Sequence, residues 1–227
     1  MLKKLLNLFY PEVCLGCTKL ILASENLICL NCRHNIPRTK HLLKKENEAY
    51  EKFNGRIAVE HVSSMLYYHK KGIVQELIHN LKYRNHQEIG TILGKWYGEE
   101  LKEINLKKDI DYIIPVPLHK KRLRQRGYNQ VTTFTNALSS IMNVPVDFEL
   151  LHRNTYSITQ SKKKLTERNS VSSTTFVNNF SEKHINKHFL IVDDVLTTGA
   201  TLESCGKALL KIPGAKISIV TIAFSES

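Results

Sequence analysis

No stretch of this sequence approaches 18 consecutive apolar residues, so nothing in it is long enough to read as a membrane-spanning helix. Acidic residues are scarce. Twenty-one Asp+Glu stand against 33 Lys+Arg, a formal net charge of +12. That balance favours polyanionic partners: nucleic acid, phosphorylated small molecules or an anionic membrane surface. The G-x-S-x-G nucleophile elbow is missing, so ester or peptide hydrolysis has no support. Neither the dinucleotide pattern G-x-G-x-x-G nor the Walker pattern G-x-x-x-x-G-K-[ST] occurs. There is no internal repeat, no low-complexity tract and no helix-turn-helix. The opening MLKKLLNLFYP imitates a signal peptide, but Asn7 interrupts the apolar run and Pro11 ends it. No small-residue cleavage site follows. The expectation is a cytoplasmic protein.

What is present is an ordinary globular composition, 42% hydrophobic and 24% charged over 227 residues. A chain of this size buries a core without disulfides. Four of its five cysteines form Cys14-x2-Cys17 and Cys29-x2-Cys32. Two such pairs at short separation can set four thiolates tetrahedrally around Zn²⁺. Gly16 leaves the first turn free to bend. The plainer alternative, four buried structural cysteines, does not account for the paired spacing. Four protein ligands would make the site structural, holding together a segment too small to fold alone. His34 is a reserve ligand. Cys205 sits on an apolar helical face and reads as core. The expected organisation is a zinc-finger module over 1–45 and a second domain over 46–227.

Residues 33–55 are lysine-rich and polar and read as a connection. Strand-like runs cover 62–68, 111–116, 144–148, 188–192 and 216–223. Helical periodicity covers 73 to about 84, 87–104, 128–142 and 200–211. The polar stretch 152–174 has no periodicity and reads as a long loop. Strands alternating with helices predict an α/β fold with a mostly parallel sheet flanked by helices.

The strongest chemical signal is the run Phe189 to Thr201, FLIVDDVLTTGAT. An apolar strand delivers Asp193 and Asp194 at its carboxyl end, where ligands of open α/β sheets bind. The turn that follows offers hydroxyls and backbone N–H groups at a helix start, which suits a phosphate. Two adjacent acids beside it suit sugar hydroxyls, directly or through Mg²⁺. The competing reading, an acid pair that merely caps an ordinary strand–helix turn, leaves the rest of the run unexplained.

This run resembles the phosphoribosyl-pyrophosphate (PRPP) signature of type I phosphoribosyltransferases. The resemblance implies that Asp193 and Asp194 are the catalytic pair on the ribose hydroxyls. It implies that Thr197, Thr198, Gly199, Ala200 and Thr201 cradle the 5′-phosphate. Pro115, Val116, Pro117 and Leu118 stand in the order of the pyrophosphate loop, and 152–174 in that of the flexible hood. No nucleobase-recognising hood is identifiable. Further along, Pro115-Val-Pro-Leu-His119, Arg126-Gly127-Tyr128-Asn129-Gln130, Arg153, Gln160, Leu165, Arg168 and Asn169, preceded by two CxxC pairs, are similar to the ComF family over essentially the whole chain. That family implies a zinc finger joined to a phosphoribosyltransferase domain and a role in taking up transforming DNA. It also implies a partner such as a DNA-uptake helicase or another competence protein. The transferred base is not implied.

Residues 120–126, KKRLRQR, carry five basic side chains in seven. From His119 to Ser170 there are ten Lys/Arg against three Asp/Glu, a local +7. Lys120, Lys121, Arg122, Arg124 and Arg126, with Tyr128 among them, could bind single-stranded DNA by phosphate neutralisation and stacking. They could equally hold pyrophosphate or form a solvated face. His119 adjoins the pyrophosphate loop. Three readings follow: a PRPP-binding protein of DNA uptake that binds single-stranded DNA, a metabolic phosphoribosyltransferase, and a DNA-binding adaptor without turnover.

Overall fold

The computed structural model describes residues 11–21, 27–153 and 176–226. Among them the strands are β1 (His61–Tyr67), β2 (Tyr112–Pro115), β3 (Leu151–Arg153), β4 (Phe176–Asn178), β5 (His188–Leu196) and β6 (Lys216–Phe224). The α-helices are α1 (Leu30–Asn35), α2 (Glu48–Glu51), α3 (Ile73–Tyr83), α4 (Glu88–Glu103), α5 (Lys120–Arg126), α6 (Thr132–Met142) and α7 (Ala200–Leu209).

Four strands form one parallel sheet in the order β1-β6-β5-β2, and β3 and β4 pair antiparallel beside it. The central strands are apolar on both faces because helices cover both. Leu190 and Val192 of β5 pack with Leu77, Leu93, Phe134 and Leu138 of α3, α4 and α6. Phe189 and Ile191 point the other way, into a core built from Phe53, Leu151, Phe176, Leu202 and Leu209. This is a phosphoribosyltransferase-like fold, with all four carboxyl ends of the sheet on one side.

Three local expectations differ. Residues 144–148 form a single parallel bridge, Val146 to Ile113, rather than a strand. The connection 33–55 is more ordered than its polarity implies. Asn47 accepts from the Ala49 and Tyr50 amides, which starts α2, and donates to the Val62 carbonyl. That anchors Ala49 and Phe53 in the core, where both are fully buried. The helix expected from residue 128 starts at Thr132, because Tyr128, Asn129 and Gln130 bond elsewhere. The polar stretch beyond Arg153, with Gln160, Leu165, Arg168 and Asn169, lies outside the described residues up to 175.

The cysteine-bearing segment joins the main core. Cys14, Leu15, Ile28, Cys29 and Cys32 pack in one cluster with Val74, Leu77 and Leu81 of α3. Asn80 of α3 donates to the Leu15 carbonyl at 2.8 Å, and the Arg33 guanidinium lies 6.0 Å from the Trp96 ring.

Candidate functional site

β5 runs on past the two acids to Leu196, because its ladder with β6 continues through Asp193↔Thr221 and Leu196↔Phe224. Asp194 is buried and faces α3 and α6. Its Oδ2 accepts from Gln130 Nε2 at 2.6 Å and pairs with Lys82 Nζ at 3.0 Å. Asp193 faces the other layer, half-buried, and its Oδ1 accepts the Asp194 amide at 2.8 Å. Burial, and then the adjacent Asp194 charge, push the Asp193 carboxyl up to about 8, against a smaller pull from Lys82. The pair is therefore divided: Asp194 is paired with a cation, whereas burial disfavours the charged form of Asp193.

The turn after β5 brings Thr197 and Thr198 to the surface and buries Gly199. Gly199 takes φ +77° at the start of α7, and a Cβ there would meet the Phe53 ring at 3.2 Å. Glycine answers both demands. From outside, Arg56 Nη1 donates to the Thr198 carbonyl at 2.9 Å and to the Lys52 carbonyl at 2.8 Å, while Nη2 pairs with Glu203. The loop is thus braced before any ligand arrives. Ala200 and Thr201 form the first turn of α7.

The second candidate loop is a neighbour because its strand is a neighbour: Pro115 of β2 pairs with Val192 of β5. Val116 donates to the Val192 carbonyl at 2.9 Å, and Pro117 and Leu118 are half-buried beyond it. His119 caps α5 by accepting the Lys121 amide at 3.1 Å.

The segment Arg126–Gln130 ties these parts together. Asn129 donates to the Val116 carbonyl at 3.0 Å, and the Tyr128 hydroxyl bonds the Leu81 carbonyl on α3. Arg126 donates to Gln130 Oε1 at 2.7 Å, and Gln130 donates on to Asp194. Lys120, Lys121, Arg122 and Arg124 are exposed, and α5 buries no residue at all. Arg126 and Tyr128 are half-buried and engaged within the fold.

Lys82, Arg56 and Phe53 carry no signal in the sequence. Lys82 is one lysine among many on an amphipathic helix, and Arg56 sits in the polar connection. A cavity of about 630 Å³ between His61, Asp111, His188 and Lys216 lies at the amino ends of the strands, away from the acids.

At the other candidate centre, the Cys14, Cys17, Cys29 and Cys32 sulfurs all lie within 4.8 Å of one another. Cys17 Sγ and Cys29 Sγ are 3.8 Å apart. Two thiolates each about 2.3 Å from a tetrahedral zinc would stand about 3.8 Å apart, so the donor set fits the metal. Amides support the sulfurs: Gly16 and Cys29 donate to Cys14 Sγ at 3.4 and 3.3 Å, and Cys32 donates to Cys29 Sγ at 3.4 Å. Burial pushes the Cys14 thiol up, but the Cys29, Gly16 and Cys17 amides outweigh it and bring it down to about 7. His34 is exposed and stands apart from this cluster. Cys205 is buried, as its helical face implies.

The family model described as phosphoribosyl transferase domain matches residues 132–227. Competence protein ComFC of Bacillus subtilis is 26% identical over 213 residues, 93% of this chain and 83% of that protein. Competence protein F of Haemophilus influenzae is 26% identical over 229 residues, 95% of this chain and 98% of that one. Together these likenesses support a ComF-family protein. A third relative, DNA utilization protein YhgH of Shigella flexneri, is 30% identical over 149 residues, 63% of each chain. Among the described residues no helix is long and apolar enough to cross a membrane.

Proposed function

We propose that this ComF protein binds PRPP with Mg²⁺ at the carboxyl ends of β5 and β2, and single-stranded DNA along α5, in the uptake of transforming DNA. On this reading Asp193 and Asp194 hold the ribose hydroxyls and residues 197–201 the 5′-phosphate. Residues 115–118 hold the pyrophosphate. Zinc sits on the four cysteines, in a module over 1–45 attached to the phosphoribosyltransferase domain over 46–227. The observation that carries the reading is the chain of contacts from α5 to the acid pair: Arg126 to Gln130 at 2.7 Å, then Gln130 to Asp194 at 2.6 Å. A surface suited to polyphosphate thereby adjoins a pocket suited to a sugar phosphate. The competence names of the relatives favour DNA over a purely metabolic role.

The test is a titration of PRPP with Mg²⁺, with and without single-stranded DNA. Replacing Asp193 and Asp194 together by Asn keeps shape and removes charge. Affinity for PRPP should fall by about 1.5–3 kcal/mol, the usual worth of hydrogen bonds to charged groups. DNA affinity should weaken steeply with salt, with a slope of about −0.7 per phosphate neutralised on a single strand. Neutralising Lys120, Lys121, Arg122 and Arg124 should flatten that slope. A quadruple variant that still binds PRPP, and binds DNA like the wild type, removes α5 from the reading.

A further inference from the structure

The sequence contains one asparagine followed by glycine, Asn54-Gly55. The structure sets the two at the tip of a turn between α2 and β1. The Phe53 carbonyl accepts the Arg56 amide at 2.9 Å and the Ile57 amide at 3.3 Å, and Asn54 and Gly55 are exposed between them. Gly55 takes φ +70°, and a Cβ there would meet nothing within 4 Å. Its amide makes no hydrogen bond among the described residues. The Asn54 side chain reaches Glu51, with Nδ2 donating to Oε2 at 3.3 Å. Nothing in the described fold shields the Asn54 carboxamide from the Gly55 nitrogen, and glycine has no Cβ to obstruct the approach.

The inner side of this turn braces the candidate phosphate loop. Phe53 is fully buried, and its ring lies 3.2 Å from where a Gly199 Cβ would stand. Two residues past Asn54, Arg56 donates to the Thr198 carbonyl at 2.9 Å and pairs with Glu203. We propose that Asn54 is a site of spontaneous deamidation, and that its product loosens the brace on the phosphate loop. The Gly55 nitrogen attacks Asn54 Cγ and gives its proton to solvent base. The new N–C bond closes a succinimide ring, the Cγ–Nδ2 bond breaks, and Nδ2 leaves as ammonia with a proton from water. A water molecule then opens the ring. Attack at Cγ yields aspartate, and attack at the main-chain carbonyl yields isoaspartate, whose chain is longer by one methylene. The balance is asparagine plus water to aspartate or isoaspartate plus ammonia, with nothing oxidised or reduced. Either product replaces a donor to Glu51 by a like charge. Isoaspartate also lengthens the chain between Phe53 and Arg56, whose hydrogen bond closes the turn. The effect on the loop rests on the reading of residues 197–201 as the 5′-phosphate cradle.

Full-length zinc-loaded protein is held at mildly alkaline pH, and its digests are followed by mass spectrometry, with aspartate and isoaspartate separated by chromatography. Conversion should appear first at Asn54, ahead of every other asparagine, with isoaspartate in excess. The same protein in guanidinium chloride sets the rate of an open chain. An Asn54 that stays intact in the fold after it has converted in denaturant overturns the site. PRPP with Mg²⁺ is titrated on fresh and aged samples. Affinity should fall about fivefold in the converted fraction, as loss of one hydrogen bond would give. Asn54→Gln, whose longer side chain would have to close a larger ring, should stay unconverted and keep its affinity through the same incubation. Conversion with unchanged PRPP affinity overturns the effect on the loop, and so does an equal loss in aged Asn54→Gln. If the fresh wild type does not bind PRPP, the reading of residues 197–201 fails, while the mass measurement still decides the modification.

Discussion

At the scale of single residues, the acid pair is asymmetric, and the asymmetry has a signed consequence. Asp193 is held up to about 8 in the fold by burial and by Asp194, against about 3.9 in an unfolded chain. A carboxyl raised in this way costs nothing below its unfolded value. Its cost grows as pH climbs through the window toward 8, because the unfolded chain releases the proton first. Asp193→Asn should therefore be more stable than the wild type at pH 8, with the gap closing toward pH 4. Thermal unfolding of both proteins between pH 5 and 8.5 checks this, and a constant gap contradicts it. The acids, the glycine turn and the cysteine pairs were legible in the sequence because each is a local pattern. Their partners were not. Gln130 reaches Asp194 across 64 positions and Arg56 reaches Thr198 across 142. Spacing along a chain does not report contacts that only the folded sheet creates.

Among elements, the packing of α4 on α6 differs most from what apolar periodicity implies. Ile89, Leu93 and Leu101 identify the helix, but the contact itself is a glycine stripe. Gly90, Gly94 and Gly98 lie against Thr133, Phe134, Ala137 and Ile141. A Cβ on Gly94 would stand 2.6 Å from the Phe134 carbonyl oxygen and 2.7 Å from the Ala137 Cβ. A backbone carbonyl and a methyl fixed directly to the backbone cannot yield as a long side chain would. Alanine improves helix propensity by about 1 kcal/mol, yet overpacking costs about 1–3 kcal/mol. Gly94→Ala should lower stability in a urea titration, whereas a surface substitution such as Lys95→Ala should leave it within about 0.5 kcal/mol. The same close approach frees α4 to bury Tyr97, whose hydroxyl donates to Ser63 on β1 at 2.7 Å. The start of β5 was legible because both its faces are apolar there, but its end was not: the ladder with β6 carries it past 192 to Leu196. The seven-residue helix α5 was not, because a helix with no buried face leaves no periodic signal.

Across the whole molecule, α3 touches both the cysteine cluster and the candidate ribose site. Its start packs on the cluster, with Ile73 2.9 Å from where a Gly16 Cβ would stand, and its end carries Lys82 to Asp194. Stripping zinc with a chelator should therefore lower the melting temperature and weaken PRPP binding together, both recovering when zinc is restored. Loss of the first without the second would mean that α3 holds its position unaided. The order of the sheet carries a different consequence, one of timing. Among the described strands β1 pairs only with β6, which is the last, its other edge meeting Arg38 in a single antiparallel bridge: Ser64 meets Thr221 across 157 positions. At about 5–20 residues per second, a ribosome needs roughly 8–30 s to deliver that partner. Throughout that interval β1 lacks the strand for its β6 edge, and β5 lacks one neighbour until β6 follows it. The nascent chain must therefore wait, with its cysteines already made and its sheet still open, for its last strand to arrive.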